Sequence, residues 1–252
     1  MRHLIGLTGS SVLAMALLLT ASCKKDMDDK QIKHCDIVQV KGKFPNTDTN
    51  YYVFKYNHKG DPAEIITSRV GTGSPNHEFR YDKKQRLTDY IGPYNNGGFE
   101  FWHEYGYDNK DRIVKDTLYI FGLYGEEPSG YVDFLKRIIT YEYDSKNRII
   151  KMTDAFADGS GLVAIITYTY DNRGNLVRPG ITYDNNVNFH RTHPVWMFID
   201  QEFSANNPIQ ALSYNSEGLP TAFSPPDETK IFLRYIPVVQ LQYDCKKGNH
   251  ND

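Results

Sequence analysis

A chain of 252 residues with 29 Lys+Arg against 31 Asp+Glu, a formal charge of −2, fits one large domain or two small ones and lacks the basic excess of a nucleic-acid binder. Its 19 Tyr, 13 Phe, 19 Gly and 12 Pro, beside 2 Trp and 5 Met, describe strands and turns and exclude an all-helical fold. A single long apolar run excludes a polytopic helical membrane protein.

That run, Leu4 to Leu19, follows Arg2 and leads through Ala21 and Ser22 to Cys23, so residues 1–22 read as a cleaved signal peptide. The ending L-T-A-S-C resembles the lipobox of bacterial lipoproteins. The resemblance implies that Cys23 is acylated, becomes the first residue of the mature chain and anchors it to a membrane without a spanning element. Residues 23–34, with the charged stretch Lys24 to Lys30, are expected to be a flexible tether, and that stretch resembles the acidic tags that send some lipoproteins to the cell surface.

The body, residues 35–248, reads as a single domain built on a repeat. Seven times an aromatic residue or Leu precedes, at a spacing of two, a Tyr followed by Asp or Asn. The tyrosines are Tyr56, Tyr81, Tyr107, Tyr143, Tyr170, Tyr214 and Tyr243. Residues i and i+2 share a strand face, so both rings of a copy point the same way. The residue after each Tyr, among them Asp82, Asp108, Asp144 and Asp171, suits the first position of a type I turn. Three residues on stand Gly60, Gln85, Asp111, Asn147, Gly174 and Gly218, mostly types that accept a left-handed backbone, which predicts three-residue hairpins closed by a bulge. That register sets Asp82, Asp108 and Asp144 against Arg86, Arg112 and Arg148, and Tyr81, Tyr107, Tyr143 and Tyr170 against Leu87, Ile113, Ile149 and Leu176.

Six hairpins, a last strand ending near Cys245 and an opening strand near Ile37 predict an all-β, antiparallel up-and-down meander of about 12–14 strands, curled into a barrel or half-barrel. Its Tyr rings are expected to pack while their hydroxyls stay wet. The rhythm breaks between Asp184 and Tyr214, where Trp196, Ile199 and Phe203 at helical spacing predict a short helix or cap near 194–205, stopped by Asn206, Asn207 and Pro208. Cys35 and Cys245, left over once Cys23 is acylated, are a disulfide candidate that would bring the first and last strands together; two separate thiols are the alternative.

The pattern Y-x-Y-D-x-x-(G/N)-R-(L/I) resembles the YD repeat of Rhs-type and teneurin-type shell proteins over roughly residues 50–245. With the lipobox, the chain resembles a bacterial lipoprotein family of unknown function with a porin-like fold. The resemblance implies the curved meander and brings no cofactor or catalytic residue.

Other candidate chemistry is sparse. His190 and His193 lack a completing ligand set, and Asp154, Asp158 and Gly159 fit a calcium loop only in part, with Phe156 and Ile165 at ligand positions, so no metal or cofactor is expected. Glu100 and Glu104 flank Trp102 on one strand face and are expected to be solvated. No nucleophile elbow, phosphate-binding loop or H-E-x-x-H occurs. The expected function is a lipid-anchored binding or scaffold protein of the outer membrane, at the cell surface or facing the periplasm, with a glycan or peptide ligand, no nucleic acid and no catalytic residue. The alternatives are a hydrolase of an envelope or dietary polymer using Glu100, Glu104 or His103, and a purely structural envelope component. A spanning porin ranks below these, because charge pairs mark the face opposite the Tyr rows.

Overall fold

Alternating apolar positions build the strands, and one turn chemistry joins them in pairs. The computed structural model describes residues 35–43, 47–208, 210–224 and 231–245; Cys23 and the signal and tether segments lie outside them. The strands are β1 (Cys35–Gly42), β2 (Asn50–Tyr56), β3 (Pro62–Thr67), β4 (His77–Tyr81), β5 (Leu87–Pro93), β6 (Gly98–Tyr107) and β7 (Ile113–Leu123). They continue with β8 (Arg137–Tyr143), β9 (Ile149–Phe156), β10 (Ala164–Thr167), β11 (Ser213–Tyr214), β12 (Pro220–Ala222), β13 (Ile231–Phe232) and β14 (Ile236–Cys245). Among the described residues one α-helix, α1 (Pro194–Ile199), interrupts the series after β10.

The sheet is antiparallel throughout, in the order β10 through β1 and then β14, β12 and β11, with β13 paired to β14 beside that path. Its edges are β10 and β11, so the sheet curls without closing.

Each hairpin repeats one register. Tyr81 faces Leu87, Tyr107 faces Ile113 and Tyr143 faces Ile149, and a register shift just before each Tyr leaves one extra residue on the return strand. The aspartate after each Tyr accepts the N–H groups of the second and fourth residues that follow; Asp82 Oδ1 takes them from Lys84 (2.8 Å) and Arg86 (2.9 Å). The third residue then takes positive φ at all six tips: Gly60 89°, Gln85 63°, Asp111 55°, Asn147 58°, Gly174 83° and Gly218 78°. A Cβ on Gly218 would meet only Asn186 Oδ1, at 3.5 Å, so the cost of a side chain there is conformational. We expect Gly218→Val, and likewise Gly174→Val, to lose about 1–2 kcal/mol. Gln85→Gly should gain less than about 1 kcal/mol. Urea midpoints that do not move in these opposite directions would contradict the register.

The tyrosine hydroxyls do not stay wet. Five of the seven repeat tyrosines donate to a carbonyl of the preceding hairpin: Tyr56 to Ile37 (2.9 Å), Tyr81 to Pro62 (2.8 Å), Tyr107 to Leu87 (2.6 Å), Tyr143 to Ile113 (2.6 Å) and Tyr170 to Ile149 (3.0 Å), whereas Tyr214 donates to the Asp184 carboxylate (2.9 Å). Burial raises their pKa values and keeps them protonated donors. The arginine of one hairpin lies over the Tyr ring of the next, Arg86 on Tyr107 at 4.5 Å, Arg112 on Tyr143 at 5.0 Å and Arg148 on Tyr170 at 3.9 Å. The repeat residues therefore stitch neighbouring hairpins together.

The first and last strands make one more hairpin. Tyr243 of β14 faces Ile37 of β1, with the same extra residue on the return strand, Val38. The Tyr243 hydroxyl donates to Pro220 O at 2.8 Å, continuing the ladder onto β12. Where the other hairpins have a turn, this one has a disulfide between Cys35 and Cys245, with Cα atoms 3.9 Å apart. Joined first and last strands do not close the sheet, because β12 and β11 extend it beyond β14.

Two more sequence expectations need correction. The fifth copy keeps its turn, but Tyr170 and Leu176 form only an isolated bridge; Pro179 has no N–H for a ladder and Gly180, at φ 74°, turns the chain away. The helix ends at Ile199 rather than near 205, and Phe203 lies beyond it, because Gln201 at φ 52° breaks the helical path. His193 caps the short helix by accepting from Val195 N–H, and Pro194 takes its first position.

The concave face is filled. Trp196 of α1 is fully buried, with its ring 5.7 Å from Phe54, 5.6 Å from Phe79 and 5.7 Å from Phe232. The tip of the β13–β14 hairpin also enters this core. Leu233 and Arg234, at φ 51° and 64°, form its turn, and Leu233 is fully buried.

Candidate functional site

Between the inward face of the repeat hairpins and the plug formed by α1 lies a cavity of about 450 Å³. The sheet wall consists of Tyr81, Tyr107 and Tyr143 with Leu87 and Ile113 between them, and the plug wall of Val195, Met197, Phe198 and Phe203. Alternation in the strands points one wall inward. In α1 the turn from Trp196 to Met197 carries one side chain into the core and the next into the cavity.

The rim is polar and largely paired. Arg86 bridges Asp82 and Asp111, each at 2.7 Å, and Arg112 holds Asp108 at 2.7 Å. Asp61 lies 3.6 Å from His193 Nε2. Burial lowers the His193 pKa to about 4 despite that carboxylate. Since the tyrosine hydroxyls are spent on carbonyls, the cavity offers ring faces and aliphatic surface within, and amides and charges only at its mouth. Such a space takes an apolar group with a polar continuation.

The hydrolase candidates are divided by the sheet. Glu100 and Glu104 lie on the outer face, where Glu100 accepts from Tyr94 O–H and Gly73 N–H at 2.7 Å and Glu104 accepts from Tyr119 O–H at 2.7 Å. That face is not solvated as expected. Trp102 between them is fully buried in a cluster with Ile91, Phe99 and Tyr119, against which Tyr131 packs, and its indole donates to Asp89 at 2.8 Å. His103 points to the concave side, 2.9 Å from both oxygens of Asp116, which also accepts from Tyr141 O–H at 3.2 Å. The space beside this group, toward Phe198 and Arg234, has no volume to admit a ligand.

His190 is paired through Nε2 with Asp200 (2.8 Å) and through Nδ1 with Asn188 (2.9 Å), so with His193 capping α1 the two histidines do not converge. Among the described residues no group of three or more potential metal ligands comes together. Sequence reading passed over Asp116, His77 and Arg234. Strict alternation in Phe101-x-His103-x-Tyr105 and Asp116-x-Leu118-x-Ile120 would have placed His103 and Asp116 inside; nothing local marks Arg234.

No protein-family model matches the chain, and no curated protein matches it. Solved structures that are similar in part include the following two. The crystal structure of TcdB2-TccC3-Cdc42 is 16% identical over 75% of this chain and 11% of its own, with a TM-score of 0.30. The crystal structure of TcdB2-TccC3-TEV is 16% identical over 73% of this chain and 9% of its own, with a TM-score of 0.28. The chain thus spans a small part of either, and a likeness of this degree carries no function.

The buried histidines set the acid behaviour of the fold. His77, whose Nδ1 lies 2.8 Å from the Tyr90 hydroxyl, has its pKa lowered by burial from 6.5 to about 3. The unfolded chain takes up these protons first, so stability should fall as pH drops from about 6.5 toward 4 for His193 and toward 3 for His77. The backbone N–H of Arg86 and that of Arg112, together with their guanidinium groups, hold Asp82 and Asp108 below the usual range. A second loss should therefore begin only below about pH 4. Urea midpoints measured from pH 7.5 to 3 check both; a flat profile between pH 6.5 and 4.5 would rule out neutral buried histidines.

Proposed function

We propose that the chain is a non-enzymatic binding protein, anchored to the outer membrane by a lipid on Cys23 and belonging with the lipoproteins of porin-like fold that its sequence resembles. Its cavity takes the apolar part of a peptide or glycan from an envelope partner. The observation that carries this reading is the cavity of about 450 Å³ with apolar walls and a polar rim. A peptide is favoured over a glycan, because a sugar's hydroxyls need in-plane donors and acceptors whereas the tyrosine hydroxyls of this wall are already bonded to the backbone. A purely structural role would leave such a space without a use, and a hydrolase built on Glu100 and Glu104 would need an open cleft between them, where the fully buried Trp102 lies and both carboxylates accept from tyrosine hydroxyls.

The test is a cavity-filling variant. Met197→Trp should abolish binding of the apolar probe 1-anilinonaphthalene-8-sulfonate and of any hit from a panel of Phe-, Leu- and Trp-bearing peptides, while the unfolding midpoint moves little. Probe and peptide binding equal to that of the unaltered chain would place the ligand elsewhere and sink the reading.

A further inference from the structure

The sheet ends on a strand that the repeat leaves without its neighbour. After the fifth turn the return segment makes only the Tyr170–Leu176 bridge and one bond from Val177 N–H to Thr169 O, at 2.8 Å, before Pro179 and Gly180 divert it. β10 is therefore an edge of the sheet. Tyr168 N–H donates to Ile150 O at 2.8 Å, so the even-numbered residues of this strand turn their backbone groups toward β9. Val163, Ile165 and Thr167 turn their N–H and C=O groups outward, where among the described residues nothing pairs with them.

Edge strands are ordinarily blunted by charge, proline or a bulge. Here Gly159 to Tyr170 contains no charged residue and no proline, and the β9–β10 register is unbroken. Residues 161–167 are all exposed, Leu162 at 90%, Ile165 at 60% and Val163 at 56%. The nearest charges on β9 are spent, Lys151 on Glu142 at 2.7 Å and Asp154 on Arg137 at 2.6 Å. A strand laid along this edge meets backbone donors and acceptors, apolar side chains and no unpaired charge.

The free stretch is centred on one residue. Gly161, at φ 74°, turns the chain into it at one end and the Val177–Thr169 bond closes it at the other, which leaves Leu162 to Tyr168 with Ile165 in the middle. A second copy turned about a two-fold axis at Ile165 presents the same segment antiparallel. Outward-directed residues then meet outward-directed residues: Ile165 exchanges both backbone bonds with Ile165 of the second copy, and Val163 does so with its Thr167. On the face shared with Met152, which lies opposite Ile166 on β9, large groups meet small ones. Ile166 falls opposite Ala164 of the second copy, and the highly exposed Leu162 falls opposite its Tyr168 ring. The other edge of the sheet, β11, has two residues, so head-to-tail stacking of copies has no comparable ladder.

We infer that β10 is a self-pairing edge: two copies of this chain join antiparallel through residues 162–168 into one continuous sheet. The uncharged segment, its symmetric free length and the fit of Ile166 to Ala164 make the same strand its own complement. With one short strand from each copy, the interface is smaller than the about 1,200 Å² of a long-lived complex, so the two copies exchange.

Single cysteines on the outward residues of the full chain read this register, with a short bifunctional thiol reagent and mass spectrometry of the digest. The two copies of position 165 lie about 5.5 Å apart in such a pair, whereas the two copies of position 163 lie about 14 Å apart. Ile165→Cys should therefore give a covalent dimer linked from 165 to 165 many-fold faster than Val163→Cys, which is about as exposed. Val163→Cys combined with Thr167→Cys should restore fast linking, between positions 163 and 167. Ile165→Lys sets two like charges side by side and should abolish the dimer that the parent chain shows in sedimentation at high concentration, while its urea midpoint moves little because the side chain is exposed. Equal linking of Ile165→Cys and Val163→Cys, or species larger than a dimer, would overturn the pairing. A parent chain that sediments as a monomer at every concentration would also overturn it and leave the edge to a strand from a different protein.

Discussion

Replacing Cys35 and Cys245 by serine, or reducing the bridge between them, should destabilise the protein by about 3–5 kcal/mol, more than any single change at a hairpin tip. The bond spans 210 residues of sequence, nearly the whole described domain. In the chain-entropy picture a loop of that size confines the unfolded chain by about 5 kcal/mol, and residual structure there reduces the figure. The native side argues for the same result. Every other repeat hairpin is held at its tip by a covalent turn, whereas β1 and β14 meet only because distant parts of the chain pair. Without the bridge, Tyr243 would have to find Ile37, and Tyr56 its carbonyl partner on Ile37, across an open end. Urea unfolding of the double serine variant, with thiol counting on the denatured parent, checks this. A loss below about 1 kcal/mol would show that strand pairing alone holds the two ends.

Much of this architecture was legible because the repeat constrains itself. An aromatic–x–Tyr–Asp unit requires a strand, a face and a turn at once, so the register of three hairpins and the positive φ at six tips follow from local chemistry. The hairpin made of β1 and β14 was only half legible. Its Tyr243-Asp244-Cys245 half carries the signature, but its return strand lies at the other end of the sequence, where Cys35-Asp36-Ile37 stands in place of Gln85-Arg86-Leu87. The hydroxyl ladder was misjudged because wet and bonded tyrosines have the same sequence. The cavity was not legible at all, since it depends on how far α1 enters the sheet, which the helical spacing of Trp196, Ile199 and Phe203 does not fix. Glu100 and Glu104 were expected in water for a similar reason: the outer-face cluster that buries Trp102 includes Tyr131, which comes from a loop of ordinary turn composition.

Trp196→Ala should cost about 3–5 kcal/mol and also remove ligand binding, the second large effect expected in this fold. The indole is the centre of the plug. It is fully buried and touches one ring from each of β2, β4 and β13, so its loss opens a void that strands stapled by the tyrosine ladder cannot collapse to fill. A helix of six residues has little stability of its own, so α1 stays in place chiefly because Trp196 and Ile199 bury one side of it. The other side, Met197 and Phe198, is the inner wall of the cavity. Unseating the helix therefore removes that wall even when the sheet survives. Trp196→Phe should keep most of the contacts and most of the binding, with a loss of about 1–2 kcal/mol. Two measurements decide the matter, the urea midpoint and titration with the apolar probe used for Met197→Trp. Full probe binding by Trp196→Ala would mean that the cavity is formed without the plug, and a stability loss below about 1 kcal/mol would mean that the concave face is not the core of this protein.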